Sequence, residues 1–372
     1  MKFTCNVVEL KKAIQIVRKA VATIPDTPVL SGIQIISQEN GTLNINAMDM
    51  NIAMNCIIDA KVETPGDILV PSKHLGDLLA SMDNEEVTFS RADSKNDLEI
   101  ITSSGTYTLN LMDEGDYPPF PNFVPEKSFK LADEVANDLI KKTIFACSTE
   151  ESRPIFTGIL FEKKGNVINC VGTNTHRLAL KSTTVETGLN DDFSLIIPSR
   201  VLKEIIANIN PSVPQDIEFG LFNRQIMVKI DNVTIISGLI EGKFPDYNRV
   251  IPASFDIHCQ VDKRKLLGSI KRVALFSTQT DYSLVKITIK SNQIVVQSGN
   301  SDFGTAEELV ECKTTGDEMK VAFNAKYLLD ILKIVESDEV LMELNSSLSP
   351  VSIKQVDDES YQYIVTPVRV LF

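Results

Sequence analysis

Histidine occurs only three times in 372 residues and cysteine six times, with no cysteine pair at C-x-x-C spacing. Cys5, Cys56, Cys147, Cys170, Cys259 and Cys312 are too sparse for a disulfide framework and too scattered for a zinc site. Reduced thiols in a cytoplasmic protein are the expectation. No apolar run approaches the ~18 residues that a membrane span needs. Charges interrupt the first twelve residues too early for a secretion signal. The patterns G-x-G-x-x-G, G-x-S-x-G, H-E-x-x-H and the EF-hand loop are absent. Gly242-Lys243 would need glycine at 237 to complete a phosphate loop, and Ser237 stands there. No metal and no cofactor is expected.

What is present is ordinary globular chemistry, 43% hydrophobic and 23% charged. The length suggests two to four domains at roughly 100–200 residues each. A net charge of −13 argues against a plain basic nucleic-acid module unless the charge is segregated.

The sequence repeats itself. Lys2-Phe3-Thr4, Ser128-Phe129-Lys130 and Ser254-Phe255-Asp256 each precede an amphipathic pattern, with the phenylalanines 126 residues apart. Val70-Pro71-Ser72-Lys73, Ile197-Pro198-Ser199-Arg200 and Phe323-Asn324-Ala325-Lys326 each pass from a strand into a helix, 127 and 126 residues apart. Gly32 and Gly158 are again 126 apart, and the third copy has Leu284-Val285-Lys286-Ile287 in that place. Glu114-Gly115-Asp116-Tyr117-Pro118 matches Glu241-Gly242-Lys243-Phe244-Pro245 at 127. So long a period makes each copy a domain rather than a solenoid turn. The expected domains are 1–125, 126–252 and 253–372.

Helical periodicity falls near 6–20, 72–82, 133–143, 199–209, 262–274 and 325–335, and period-two alternation fills the rest. Gln38-Glu39-Asn40-Gly41 and Lys163-Lys164-Gly165-Asn166 read as hairpin turns. Each copy is therefore an α+β domain with helices on one side of antiparallel sheets, and internal duplication is open.

The helices carry the cations. The first places Ala13, Ile14, Val17 and Val21 on one stripe and Lys11, Lys12, Arg18 and Lys19 off it. The fifth repeats this with Leu266, Leu267, Ile270 and Ala274 inward and Arg264, Lys265, Lys271 and Arg272 outward, all at an offset of 253. Lys73, Lys141, Lys142, Arg200 and Lys203 add to the set. The six helical segments together carry +8, leaving −21 on the remainder. Taken alone, charge on a helix is a solvated face. Combined with triplication, it points to phosphate contact, which is blind to base sequence and sensitive to salt.

Catalytic groups are scarce. His74 and His258 sit in regular elements and read as structural. His176 lies in Thr173-Asn174-Thr175-His176-Arg177-Leu178-Ala179-Leu180, a polar bend entering an apolar strand. A His-Arg pair suits acid–base work, but no nucleophile or third partner is spaced for a triad. The acidic pairs Glu150-Glu151, Asp191-Asp192, Glu307-Glu308 and Asp357-Asp358 read as surface solvation.

Met1-Lys2-Phe3-Thr4, the segment Thr173 to Leu180, Phe244-Pro245-Asp246-Tyr247 and the ending Tyr363-Ile364-Val365-Thr366-Pro367-Val368-Arg369 together resemble the bacterial DNA polymerase III beta subunits, the sliding clamps. The resemblance runs the length of the chain. It implies a DNA clamp fold: two subunits closed head to tail into a ring of six similar domains, helices on the inner face and antiparallel sheets outside. It implies a non-catalytic processivity factor that encircles duplex DNA without sequence preference and tethers the replicative polymerase. An ATP-driven clamp loader opens such rings, and other clamp-motif proteins bind them.

The resemblance also implies a peptide cleft between the second and third domains. Arg153, Phe156, Thr173, Thr175, His176, Arg177, Leu178, Pro245, Arg249 and Val250 would form one side. Asn324, Tyr327, Leu348, Pro350, Ile364, Thr366, Pro367, Val368 and Arg369 would form the other. It places the dimer interface at Tyr107 and Leu109 of one chain against Leu275 and Phe276 of the next. Departures from the family pattern are Thr175 in place of a common glycine, Thr366 in place of a common methionine, Ile24 in place of an arginine, and Pro154-Ile155 in place of an aromatic pair. Val370, Leu371 and Phe372 extend past Arg369, within reach of the cleft. Three alternatives stay open: a nucleic-acid-modifying enzyme using His176 and Arg177, a scaffold with no DNA role, and a monomeric relative that has lost ring closure.

Overall fold

The computed structural model describes residues 1–22, 27–91, 96–186, 188, 191–277, 283–300, 304–356 and 358–370. One plan recurs three times. The first copy runs β1 (Lys2–Asn6), α1 (Val7–Val17), β2 (Gly32–Ser37), β3 (Thr42–Met48), β4 (Ile52–Asp59), β5 (Lys61–Thr64), β6 (Gly66–Pro71), α2 (Ser72–Ala80), β7 (Glu86–Ser90), β8 (Asp97–Ile101) and β9 (Thr106–Asn110). The second runs β10 (Lys127–Ala132), α3 (Asp133–Ile144), β11 (Gly158–Lys164), β12 (Val167–Thr173), β13 (Arg177–Thr184), β14 (Phe193–Pro198), α4 (Ser199–Asn208), β15 (Asp216–Phe222), β16 (Gln225–Ile230) and β17 (Val233–Gly238). The third runs β18 (Ile257–Asp262), α5 (Lys263–Val273), β19 (Leu284–Lys290), β20 (Gln293–Asn300), β21 (Gly304–Thr315), β22 (Met319–Asn324), α6 (Ala325–Ile334), β23 (Glu339–Leu344), β24 (Val351–Gln355) and β25 (Tyr361–Val365). Within each copy, strand–helix–three strands occurs twice, so every domain is itself duplicated. The first copy's crossing strand is broken into β4 and β5, whereas that of the third, β21, runs through unbroken.

Register proves the repeat. Gly32 pairs with Pro71, Gly158 with Pro198, and Leu284 with Asn324, at the same point of each copy. The hairpin turns at Gly41 and Gly165 form where expected, with φ of +83° and +57°, a region open to glycine at little steric cost.

One landmark is corrected. Phe3 stacks on Phe89 and Phe129 on Phe219, both at 4.9 Å, each four residues ahead of its helix. The residue four ahead of α5 is Cys259, which pairs with Met342. Phe255 lies before β18 and is not the third member of the series. The helix alignment shifts with it. Leu10, Ile14 and Val17 of α1 correspond to Leu266, Ile270 and Val273 of α5, an offset of 256 rather than 253. The caps agree: Asn6 accepts from Val8 N and Asp262 from Lys265 N. Basic residues on the two helices therefore do not occupy equivalent positions.

The strands form three sheets, and the sheets do not end where the repeats do. Their orders are β5-β1-β7-β8-β9, β10-β15-β16-β17-β4-β3-β2-β6 and β14-β11-β12-β13-β25-β24-β23-β18-β21-β20-β19-β22. The chain divides into two compact units, chiefly residues 1–136 with 200–239, and residues 137–186 with those from 240 onward. The middle copy is thus shared. Its β15–β17 joins the first copy through β17 on β4, and its β11–β13 joins the third through β13 on β25. Both joints obey one rule: the final strand of a copy lies antiparallel to the first five residues of the preceding copy's crossing strand. Val233 faces Cys56 and Ser237 faces Ile52. Tyr361 faces Lys181 and Val365 faces Arg177.

Two edges remain. Among the described residues β9 pairs only with β8, and the Gly304–Glu311 stretch of β21 pairs only with β20. No described helix is long and apolar enough to cross a membrane.

Candidate partner cleft and basic helix faces

The β12–β13 turn is closed by a backbone hydrogen bond from Asn174 N to Arg177 O at 3.3 Å and reinforced by side chains. Thr173 Oγ1 donates to Arg177 O at 2.6 Å, and Thr175 N donates to Thr173 Oγ1 at 3.1 Å. Asn174 Oδ1 accepts from His176 N and Arg177 N, both at 3.1 Å. This geometry puts Thr175 at φ +74°, the left-handed region that a β-branched residue occupies under strain. The expected departure at Thr175 therefore bears on the backbone of this turn.

Arg177 follows, with its side chain turned inward. Its guanidinium donates to Asp330 Oδ2 at 2.7 Å and to Phe145 O, and packs against the rings of Tyr327 and Phe145. Among the described residues its Nε has no hydrogen-bond partner. A cation held this way orders the seam and is not offered to a substrate. His176 is exposed with no acidic partner among the described residues, so no acid–base pair forms.

Across the seam Leu178 pairs with Ile364, and Thr366 N donates to His176 O at 2.9 Å. The facing wall is the segment after β17. Asp246 caps a 3-10 turn at Tyr247–Val250, accepting from Asn248 N and, at 3.1 Å, from Arg249 Nε. Tyr247 O–H donates to Glu162 at 2.8 Å. Burial and the Glu162 carboxylate push that phenol up to about 12, so it stays a neutral donor.

Between the walls lies an apolar cavity of about 250 Å³. Of the expected residues, Phe156, Thr173, Thr175, His176, Arg177, Leu178, Pro245, Val250, Pro350, Ile364 and Thr366 line it. Phe244, Asp246 and Tyr247 line it too. Of the Phe244-Pro245-Asp246-Tyr247 motif, only Pro245 was expected at the cleft. The other expected residues do not line this cavity. Arg153 precedes a 3-10 turn, Arg249 is held by Asp246, and Asn324 is buried as the cap of α6. Tyr327 is stacked on Arg177, and Leu348 is 51% exposed. Val368 N donates to Ala322 O, which lays Pro367 and Val368 beside β22, and Arg369 is exposed. Val370 is half-buried; Leu371, Phe372 and Ile24 lie outside the described residues. Ile155 packs among Leu160, Leu178 and Ile364.

The cations differ in what they touch. Lys11 Nζ donates to Ala80 O, satisfying the end of α2, and Arg18 reaches over Gly76 to Asp77 at 3.6 Å. Arg200 holds Asp49 and Lys19 O. Lys12, Lys19, Lys73, Lys141, Lys203 and Lys271 are exposed and make no ion pair among the described residues. Lys142 departs from expectation. It is buried against Asp138 at 2.6 Å, with Tyr361 O–H donating to its carbonyl, so it is a core cation rather than a phosphate contact. On α5, Arg264 lies 3.8 Å from Asp338, Lys265 3.0 Å from Glu311, and Arg272 makes two 2.6 Å contacts with Glu308.

At the free edges, Tyr107 of β9 is 42% exposed and Leu109 partly so. Leu275 and Phe276, in the 3-10 turn after α5, are 79% and 36% exposed.

Family models of the DNA polymerase III beta subunit match almost the whole chain: the N-terminal domain at residues 1–121, the central domain at 130–246 and the C-terminal domain at 248–369. The chain belongs to the DNA polymerase III beta subunit family. A beta sliding clamp of Staphylococcus epidermidis is 27% identical over 362 residues, 94% of each chain. The DNA polymerase sliding clamp of Bacillus subtilis superposes with a TM-score of 0.93 at 25% identity, and the Pseudomonas aeruginosa clamp bound to griselimycin with 0.92 at 26%, each covering both chains fully. The fold is the three-domain clamp fold. Membership makes the chain a non-catalytic processivity factor of DNA polymerase, acting with DNA and polymerase in replication. The enzyme reading of His176 and Arg177 falls with it.

Proposed function

We propose that two copies of this chain close head to tail into a ring around duplex DNA, and that the β13–β25 cleft docks apolar segments of the replicative polymerase, the clamp loader and other partners. The observation that carries this is the joint rule, which leaves β9 without a crossing strand and β21 without a last strand among the described residues. Extending the seam rule, β9 lies antiparallel to Gly304–Glu308 of a second copy, so that Thr106 faces Glu308 and Asn110 faces Gly304. Tyr107, Leu109, Leu275 and Phe276 supply apolar surface beside that ladder. In the ring the domains follow 1–125, 126–252 and 253–372, and the exposed helix cations face the duplex. Weak, sequence-blind phosphate contacts permit sliding while closure prevents escape. The cleft suits a peptide, with apolar walls and few polar groups. The setting is the cytoplasm.

Subunit mass in solution, combined with retention on circular and linear DNA, tests the reading. A dimer held on circles and lost from cut molecules is expected. A monomer, or equal retention on both forms, overturns it.

A further inference from the structure

The cations of α5 other than Lys271 are already occupied by their own chain. Arg272 lies across Gly268, whose missing side chain leaves room for it, and grips Glu308 of β21 through Nε and Nη2, both at 2.6 Å. This fork-to-fork pairing is the geometry that arginine also uses on phosphate. Lys265 Nζ holds Glu311 of the same strand at 3.0 Å. Proton affinities follow: the Glu308 carboxyl is lowered chiefly by its hydrogen bond with Arg272, and Lys265 is raised chiefly by its bond to Glu311. On α1 and the 3-10 turn after it, Lys12 and Lys19 are exposed and make no such pair among the described residues.

We infer that Glu308 and Glu311 act as internal phosphate mimics: β21 neutralises Arg272 and Lys265, leaving duplex attraction to the exposed cations without an ion pair among the described residues, Lys12, Lys19, Lys73, Lys141, Lys203 and Lys271. The inference rests on the reading that these helices meet DNA. A phosphate reaching Arg272 must first displace Glu308, so these two paired cations contribute little net counterion release. The hold on DNA is thereby weakened without removing the cations, which suits a ring that slides.

Equilibrium binding of a linear duplex across 50–200 mM salt tests this with four variants. Lys12→Glu with Lys19→Glu tests the underlying reading: binding should fall several-fold, and an unchanged affinity sinks DNA contact by these helices altogether. Glu308→Gln with Glu311→Gln tests the inference: binding should tighten several-fold and the log–log salt slope should steepen by up to about 2, one unit per released cation. Lys265→Gln with Arg272→Gln should change little in the native background yet cancel the gain when added to the glutamine pair. The inference is overturned if the Glu308/Glu311 variant binds as the native chain does, or if the Lys265/Arg272 variant alone loses as much as the Lys12/Lys19 one. Should the glutamine pair fail to fold, the Lys265/Arg272 arm decides by itself.

Discussion

Single residues in this chain serve shape before chemistry. Thr175 was recognisable in the sequence as an oddity, but its cause was hidden, because a positive φ is set by the Asn174 and Thr173 bonds around it. Thr175→Gly should stabilise the chain by about 1 kcal/mol, the strain relieved less the extra freedom glycine gains when unfolded; urea melts measure it. Glu204 is a second case. It is half-buried beside Lys19, Arg200 and Lys203, and burial raises its carboxyl above the ordinary value of 4.5 despite those cations. A raised acid binds more protons folded than unfolded, so its contribution is present below pH 4.5 and is lost as pH climbs through the folded value. Glu204→Gln should therefore flatten the fall in stability on the alkaline side of 4.5, read from melting temperature against pH.

At the scale of elements, local pattern was legible and its phase was not. All six helices and the strand-to-helix landmarks at Pro71, Pro198 and Asn324 were visible, because a buried stripe and a cap leave marks within a dozen residues. The third copy was misphased for a physical reason. A slip of three residues turns a helix by nearly a full revolution, so an apolar stripe matched at 253 looks almost as good as the true one at 256. Cys259 gave no aromatic signal to correct it. In the cleft, residues on the β13–β25 joint were found, whereas Phe244 and Tyr247 were missed. Their inward position depends on the turn capped by Asp246, a loop geometry that periodicity does not report. Val250 sits at the cleft, 47% exposed, so Val250→Arg should leave folding intact and weaken binding of a polymerase-derived peptide at least tenfold, measured by fluorescence anisotropy.

For the whole molecule, repetition decides where partners can attach. Each internal joint pairs a last strand with a crossing strand, and the leftover pair, β9 and β21, is what a second copy would use. Introducing charge there, with Tyr107→Asp and Leu275→Asp together, should halve the mass in solution while leaving each chain folded, since both side chains are exposed; light scattering and circular dichroism check the two halves of that statement. The shared middle copy has a different consequence. The ancestral segment and the cooperative block are out of step, because hydrogen bonds bind half of the central copy to each neighbour. Cutting the gene at its duplication boundaries would shear two continuous sheets and expose raw ladders, so fragments sliced there should clump. Breaks inside the middle copy, following the sheet rather than the lineage, are where this architecture would tolerate being taken apart.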